Sequence, residues 1–174
     1  MNLGKAFAVH IDIIETLPSL AKLEDNWNAV YDADDEAQVF LSWQWLSGWL
    51  SCIEGPWFIL AAKAGEAADL PYVAFLPLRL QTKVEKSDVI SDMRMAGNYA
   101  ADYTGIICRP EAENKVIPAF ARTIKQMNWA RLHLDNVRIS ERRWRLLTAC
   151  FPKASFHSTK GDKIIKSDGI DNSL

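Results

Sequence analysis

Three segments in the middle of the chain decide the fold: DVISDMRM at Asp88–Met95, ENKVIPAFARTIKQMN at Glu113–Asn128, and RLHLDNV at Arg131–Val137. The first and third alternate apolar and polar residues, which is typical of half-buried β-strands. The second predicts a helix, because its apolar residues recur at helical spacing. They are Val116, Ile117, Phe120, Ile124 and Met127. A strand, a helix and a strand in this order predict a parallel β–α–β crossover.

An apolar hairpin is predicted before this crossover. Its strands are Trp57–Lys63 and Tyr72–Val84, and a polar turn at Ala64–Leu70 joins them. Strands joined by a short turn pair antiparallel, so the complete sheet is expected to be mixed. Pro77 lies inside the second strand and cannot donate to the ladder, so we expect a bulge or an exposed edge there.

The N-terminal third predicts one strand and two helices. Ala8–Ile14 alternates as a strand, and Thr16 then caps a helix that has Pro18 in its first turn. The apolar stripe of this helix is Leu20, Leu23, Trp27, Val30 and Tyr31. The acidic run Asp32–Glu36 is expected to end the helix as a solvated loop. A second helix is predicted at Ser42–Ile53, with an apolar face of Trp45, Leu46, Trp49, Leu50 and Ile53 and with Trp43 pointing elsewhere.

The C-terminal part predicts a last helix that Ser140 caps. Its inner residues are Trp144, Leu147, Cys150 and Phe151, and its basic residues, Arg138, Arg142, Arg143 and Arg145, are interpreted as a solvated face. Phe156–Ile165 is a candidate strand, and Lys166–Leu174 is predicted to be a flexible tail. No linker divides the chain, so one domain is expected over residues 1–165, followed by the tail. The fold class is α/β (α+β), with helices on both faces of a mixed, mostly antiparallel sheet.

The composition limits the classes of function. The chain has 174 residues, with 20 Lys and Arg against 22 Asp and Glu, and its net charge of −2 argues against non-specific nucleic-acid binding. No secretory signal and no membrane span is visible, so a cytoplasmic protein is predicted. Three scattered cysteines argue against a disulfide framework and a metal site, and buried free thiols are expected. They are Cys52, Cys108 and Cys150.

Several short motifs accompany this element order. They are Trp27, FLSWQWL at Phe40–Leu46, Trp49, FLPL at Phe75–Leu78, DYTG at Asp102–Gly105, and Trp129 before LHL at Leu132–Leu134. With them, the chain resembles the Gcn5-related N-acetyltransferase (GNAT) fold. Within that fold it resembles the bacterial FemAB-like or CelD-like acetyltransferases, often described as cellulose-biosynthesis proteins. The resemblance covers roughly residues 8–150.

The resemblance implies an N-acyltransferase of which this sequence matches only the first half. Proteins of this group usually carry two GNAT-like halves on a chain about twice as long, and the acyl-donor site lies in the second half. The full-length family would transfer an acyl group from acetyl-CoA or another acyl-CoA thioester to an amine, such as a small amine or a sugar amine. This half would shape the acceptor side. Its partner would be a second GNAT-like half or another copy of the chain, and no cofactor is expected for this chain alone.

Asp102 and Tyr103 are the catalytic candidates that the sequence suggests. They follow a loop at Gly97–Asp102 and begin a predicted short strand, Tyr103–Cys108. In acyl transfer to an amine, a carboxylate could accept the proton and a tyrosine hydroxyl could donate one. In the alternative, the hydroxyl of a buried Tyr103 bonds to Asp102 and fixes the loop.

The segment Gly105–Glu113 is a poor match for an acyl-CoA site. Such a site needs free N–H groups at a helix N-terminus to hold the pyrophosphate. Pro110 lacks an N–H, and Glu111 and Glu113 would repel an anion. The sequence therefore predicts weak or no acetyl-CoA binding by this chain. A non-catalytic interaction module that uses the aromatic residues is the alternative function, and His10 and His133 are interpreted as structural.

Overall fold

The computed structural model describes residues 8–151 and the strand segments 158–160, 165–167 and 170–171. The strands are β1 His10–Ile14, β2 Trp57–Lys63, β3 Tyr72–Glu85, β4 Asp88–Met95, β5 Ile107–Cys108, β6 Arg131–His133, β7 Ser158–Lys160, β8 Ile165–Ser167 and β9 Ile170–Asp171. The helices are α1 Leu17–Ala21, α2 Glu24–Tyr31, α3 Trp43–Cys52, α4 Glu113–Gln126 and α5 Glu141–Thr148.

The main sheet is mixed, as the sequence predicts. Its strands lie in the order β1-β2-β3-β4-β6-β9, and β5 pairs with the first part of β3. The pair β4–β6 is parallel and is joined through α4, whereas β1–β2, β2–β3, β3–β4 and β6–β9 are antiparallel. This is the element order that the resemblance to the GNAT fold implies.

Helices cover both faces of the sheet, which confirms the predicted fold class. Alternate residues of β2 show the two faces: Phe58 and Leu60 pack with α4 and α5, and Ile59 and Ala61 pack with α1–α3. The strand therefore buries side chains in both directions, and this explains why Trp57–Lys63 is apolar throughout.

The N-terminal helices differ from the prediction in two respects. The predicted first helix is divided into α1 and α2 at Lys22 and Leu23, although its stripe from Leu20 to Val30 is buried as expected. On α3 the predicted inner face is shifted: Trp43 is buried with Leu46 and Leu50, whereas Trp45 and Trp49 are half-buried and stack on each other. Trp43 is buried because its ring contacts that of Trp27 beneath the helix.

Pro77 lies in the interior of the sheet, contrary to the expected bulge or exposed edge. It is paired with Ile59 of β2, and its carbonyl accepts a hydrogen bond from the Ala96 N–H at 3.1 Å. In an antiparallel strand the nitrogen of a residue faces the same side as its carbonyl. On that side β3 pairs first with β5, at residues 74–75, and then with β4, from residue 78. The N–H that Pro77 lacks would therefore lie between β5 and β4, where neither strand needs it for its ladder.

Two predicted strands are shorter in the structure. Only Ile107–Cys108 and Arg131–His133 form ladders, within the predicted ranges Tyr103–Cys108 and Arg131–Val137. Outside these two ladders, Thr104 and Val137 form an isolated parallel bridge. Near the C-terminus, β7 lies within the candidate strand Phe156–Ile165 and pairs with β8, while β9 pairs with β6. The other residues of that candidate strand and of the predicted tail lie outside the described residues.

A buried ion cluster corrects the prediction of two solvated charged segments at one residue of each, Asp34 and Arg143, while most of the other charged residues there are exposed as expected. Arg143 of the basic segment is 1% exposed, and its guanidinium binds both oxygens of Asp34 at 2.7 and 3.0 Å. It also donates to Glu113 Oε1 at 2.6 and 2.8 Å. Asp34 belongs to the acidic run and accepts the N–H of Cys108 at 2.8 Å. Charges at distant positions in the sequence are thus buried because they meet in the fold.

Candidate functional site

One face of β3, β4 and β6 is lined by polar side chains. Alternate residues of these strands, such as Leu78, Met93 and Leu132, point into the core beneath α4 and α5. The residues between them point to the opposite face. There the register forms two rows across the strands, Arg79–Arg94–His133 and Gln81–Asp92–Arg131. These six residues, with Lys83, Glu85 and Asp135 on the same strand faces or beside them, form what we call the polar face.

Asp92 lies at the centre of the polar face and is fully buried. Its Oδ1 accepts a hydrogen bond from Arg131 Nε at 2.8 Å, and Lys83 Nζ lies 3.0 Å from Oδ2. Burial opposes ionisation of the carboxyl, but the contacts with Arg131 and Lys83 outweigh it and hold the pKa of Asp92 below its usual value. Asp92 is therefore a buried carboxylate at neutral pH.

Two arginines connect Asp92 to the neighbouring charges. Arg131 also binds Glu85, and Arg94 donates to Asp135 Oδ2 at 2.7 Å. Hydrogen bonds from Arg131 to Glu85 and Asp92 raise the pKa of its guanidinium above the usual value. The polar face is thus held in place by ion pairs that span three strands.

Several buried polar atoms on this face have no hydrogen-bond partner among the described residues. They are Arg79 Nε, Asp92 Oδ2, Arg94 Nε, His133 Nε2 and, at the rim, Asn98 Oδ1. Asp92 Oδ2 and His133 Nε2 lack only the geometry of a hydrogen bond, because Oδ2 lies 3.0 Å from Lys83 Nζ and 3.5 Å from His133 Nε2. An unpaired buried polar atom is costly, and native proteins have few of them. Arg79 Nε, Arg94 Nε and Asn98 Oδ1 remain without a polar partner among the described residues, and they make this face the candidate site for a polar ligand.

His133 is the titratable group of this face that is suited to accept a proton. Its Nε2 lies 3.5 Å from Asp92 Oδ2, and its side chain is 16% exposed. Burial, together with the nearby charge of Arg94, lowers the pKa of His133 below 6.5, so the imidazole is neutral at pH 7. The sequence signal was ambiguous, because one histidine in an alternating strand is more often structural. Only the register places His133 beside Asp92 and Arg94.

The loop after β4 borders the polar face. The Tyr99 hydroxyl donates to Gln81 Oε1 at 3.1 Å, and the guanidinium of Arg79 lies 5.3 Å from the Tyr99 ring centre. Gly97 begins the loop with a φ of +88°, and a Cβ there would lie 3.1 Å from the Trp45 ring. The loop that the sequence suggested as functional therefore reaches the candidate site through Asn98 and Tyr99.

Asp102 and Tyr103 lie further along this loop and contact other groups. Asp102 is exposed, and Tyr103 is half-buried. The Tyr103 ring packs against Phe40 at 6.4 Å, and the Arg138 guanidinium lies 5.0 Å from the ring centre. Within residues 8–151, no hydrogen bond joins the Tyr103 hydroxyl to Asp102 and neither residue contacts His133.

The start of α4 combines features that oppose the pyrophosphate of an acyl-CoA with one that favours it. Pro110 opens a 3₁₀ turn, Pro110–Ala112, just before the helix and supplies no N–H to an anion. Among the described residues, no side chain caps the first turn of α4, so N–H groups of that turn are open to an anion and favour it. The prediction that Glu113 repels an anion is wrong, because its carboxylate is buried and its charge is balanced by Arg142 and Arg143. Because Glu113 binds the guanidinium groups of Arg142 and Arg143, those two cations already have an anionic partner. Glu111 is exposed and remains an acidic group in the turn.

The cysteines differ in exposure. Cys108 is buried as expected, and burial raises the pKa of its thiol to about 12, which leaves it protonated and unreactive. Cys150 is half-buried, and Cys52 at the end of α3 is exposed, contrary to the expectation of buried thiols. In the described part of the chain, no group of three His, Cys, Asp or Glu side chains is arranged to hold a metal ion.

No protein-family model matches the sequence, and no curated protein matches it significantly. Among solved structures, the chain is similar to an aminoglycoside acetyltransferase from an uncultured soil metagenomic sample in complex with sisomicin, with 10% identity and a TM-score of 0.47 over 88% of this chain and 94% of that one. It is also similar to the KacTA–DNA complex, with 9% identity and a TM-score of 0.39 over 91% and 93%. A third is a mutant AtaT toxin bound to the C-terminus of the antitoxin AtaR and acetyl-CoA, with 10% identity and a TM-score of 0.34 over 91% and 92%.

These likenesses concern the arrangement of the backbone, and the ligands belong to those proteins. None of the helices in residues 8–151 is both long and apolar enough to cross a membrane.

Proposed function

We propose that the chain is the acceptor-side half of an N-acyltransferase of the GNAT fold, related to the FemAB/CelD-like proteins. The unpaired buried polar atoms of the polar face carry this proposal, because they form a prepared site for a polar acceptor. The parallel β4–α4–β6 crossover beside it agrees with the resemblance that the sequence suggests.

The residues of the polar face supply the acceptor chemistry. An amine arrives as an ammonium ion and must lose a proton before it can attack an acyl carbon. The neutral imidazole of His133 accepts that proton, and the Asp92 carboxylate, 3.5 Å away, stabilises the resulting imidazolium. Pro110 and the exposed Glu111 weaken the α4 N-terminus as a donor site, so we assign the donor site to the second GNAT-like half or to another copy of the chain.

Asp102 and Tyr103 complete the proposal as residues of the approach to the site. Tyr103 is held between Phe40 and Arg138, and Asp102 is open to solvent beside it. In this role the Asp102 carboxylate accepts a proton of the amine in place of His133, and the Tyr103 hydroxyl donates one to the leaving group. Asp102→Asn and Tyr103→Phe test it in a protein that also carries the second GNAT-like half, with reduced turnover at unchanged acceptor binding as the expected result.

The direct test measures acceptor and donor binding separately on the purified chain. Calorimetry with acetyl-CoA is expected to show no micromolar affinity. Amide NMR titration with glucosamine and ethanolamine is expected to perturb β3, β4 and β6, and His133→Gln should weaken this response while the matched His10→Gln on β1 should not. Micromolar acetyl-CoA binding would overturn the half-domain assignment. Perturbation of other surfaces alone would overturn the acceptor site.

A non-catalytic interaction module is the second candidate, and the aromatic residues near α3 favour it. Trp45 and Trp49 stack at 6.3 Å with only 10° between their planes, and Phe40 packs edge-on to Trp45 at 5.2 Å. All three are half-buried, and Val39 beside them is 61% exposed. If this function is correct, Trp49→Ala abolishes partner binding, whereas His133→Gln has no effect on it.

A further inference from the structure

We infer that the acceptor carries an oxyanion as well as its amine, and that Arg79 and Arg94 bind this oxyanion. The inference rests on the proposed function for the amine, but the anion site follows from separate observations. Arg79 and Arg94 are directly paired in the β3–β4 register, and both Nε–H groups are buried without a hydrogen-bond partner. Two adjacent donors of this kind are suited to a carboxylate or phosphate, whose oxygens match the guanidinium fork.

The charges of the polar face support an anionic ligand. Like charges directly opposite on neighbouring strands repel each other. Arg94 is partly neutralised by Asp135 at 2.7 Å, but within the described residues Arg79 has no carboxylate partner and only the Tyr99 ring at 5.3 Å. The face carries four cationic side chains, Arg79, Lys83, Arg94 and Arg131, and three carboxylates, Glu85, Asp92 and Asp135. An oxyanion between Arg79 and Arg94 would remove both the repulsion and the unpaired donors.

The register also sets the size of the ligand. Arg79, Arg94 and His133 occupy one row on three consecutive strands. Neighbouring strands lie about 4.8 Å apart, so the row spans roughly 10 Å. An oxyanion bound by the two arginines and an amine facing His133 are thus separated by only a few bonds. The ligand class is a compact zwitterion, an amine with a nearby carboxylate or phosphate.

Matched small ligands test this inference. Glycine and phosphoethanolamine carry an amine with a carboxylate or a phosphate, ethanolamine carries only the amine, and acetate only the carboxylate. In NMR titrations of the full chain, we expect both zwitterions to bind about tenfold or more tightly than ethanolamine. One charge-assisted hydrogen bond contributes an affinity gain of this size. The preference between glycine and phosphoethanolamine identifies the oxyanion.

Variants of Arg79 show whether this residue binds the oxyanion of the zwitterion. Arg79→Gln should lower the affinity for the zwitterion to that for ethanolamine and leave ethanolamine binding unchanged. Arg79→Lys keeps the charge without the fork and should lose part of the affinity. Arg122→Gln, at an exposed position on α4, is the matched control and should behave as the parent chain. Circular dichroism melts of each variant show whether it is folded at the titration temperature.

The possible results separate this inference from the proposed function. Equal affinity for ethanolamine and both zwitterions, or folded Arg79 variants with unchanged affinities, would overturn the oxyanion site while leaving an amine acceptor site intact. Zwitterion and acetate binding that depends on Arg79 but not on His133, with no response to ethanolamine, would support the oxyanion site. That result would at the same time count against the amine chemistry of the proposed function.

Discussion

At the scale of single residues, the buried ion cluster makes the sharpest prediction about stability. Arg143→Ala would leave the carboxylate of Asp34 buried without its cation and would leave Glu113 with only the exposed Arg142 as a partner. Removing one partner of a buried ion pair costs about 3–5 kcal/mol, so we expect a loss of this size in the free energy of unfolding, measured with urea. Arg145→Ala on the same helix is the control, since its pair with Glu141 is exposed and is worth at most about 1 kcal/mol. Similar losses for both variants would contradict the cluster's role.

The tryptophans make a second comparison between single residues. Trp27 is fully buried, its ring stacks on Phe75 at 4.5 Å, and its indole N–H donates to the Leu41 carbonyl at 2.9 Å. Trp27→Ala is expected to cost about 3–5 kcal/mol in urea unfolding. Trp49, which the sequence placed on the same kind of inner stripe, is only half-buried, so Trp49→Ala should cost clearly less. An equal cost would mean that Trp49 packs more deeply than the structure shows.

The fate of individual residues shows why the site could not be predicted in full. Asp34 and Arg143 lie in sequence segments that are typical of solvated loops and helix faces, and their burial depends on contacts across 109 positions. His133 and Asp92 likewise gain their chemistry from the parallel pairing of β4 with β6. Periodicity indicates which face of a strand is polar, but the pairing of two distant strands decides which polar groups meet.

At the scale of secondary-structure elements, the loop after β4 depends on Gly97. Its φ of +88° disfavours any side chain, and a Cβ would also press on the Trp45 ring at 3.1 Å. We expect Gly97→Ala to lower the free energy of unfolding by at least about 1 kcal/mol and to weaken ligand binding at the polar face. Gly48→Ala is a matched control within α3, because its Cβ meets nothing within 4 Å and alanine favours the helix. That variant should be stabilised by about 0.5–1 kcal/mol.

The elements themselves were largely predictable, because local patterns determine them. Thr16, Ser42 and Ser140 each accept the backbone N–H expected of an N-cap. The strands β2, β3 and β4 lie within one residue of their predicted ends. The errors fall where tertiary contacts override the pattern: α3 turns Trp43 inward against Trp27, and Pro77 is accommodated between two partner strands.

At the scale of the whole molecule, the sheet face that packs against α1–α3 is apolar in one part and lined by charged side chains in another. The core cluster beneath α1–α3 ends at Phe75, Ala96 and Ile107. Beyond that boundary the same side of the sheet carries the polar face. The layered fold therefore also determines where charged side chains can lie on the sheet. Because the ion pairs of this face tie three strands together, its protonation is linked to the stability of the entire sheet.

This linkage gives a pH-dependent prediction for the folded chain. The pKa of His133 is lowered below 6.5 by burial and by Arg94, so the unfolded chain binds a proton there more readily than the folded chain. Stability should therefore be complete above about pH 6.5 and fall as the pH decreases through the window beneath it. Urea unfolding from pH 7.5 to 5 measures this slope, and His133→Gln should reduce it. A further fall is expected below about pH 4, where the lowered pKa of Asp92 makes protonation of its carboxyl destabilising, and this fall should persist in His133→Gln. If His133→Gln left the slope above pH 5 unchanged, the imidazole would be no more shielded in the folded chain than in water.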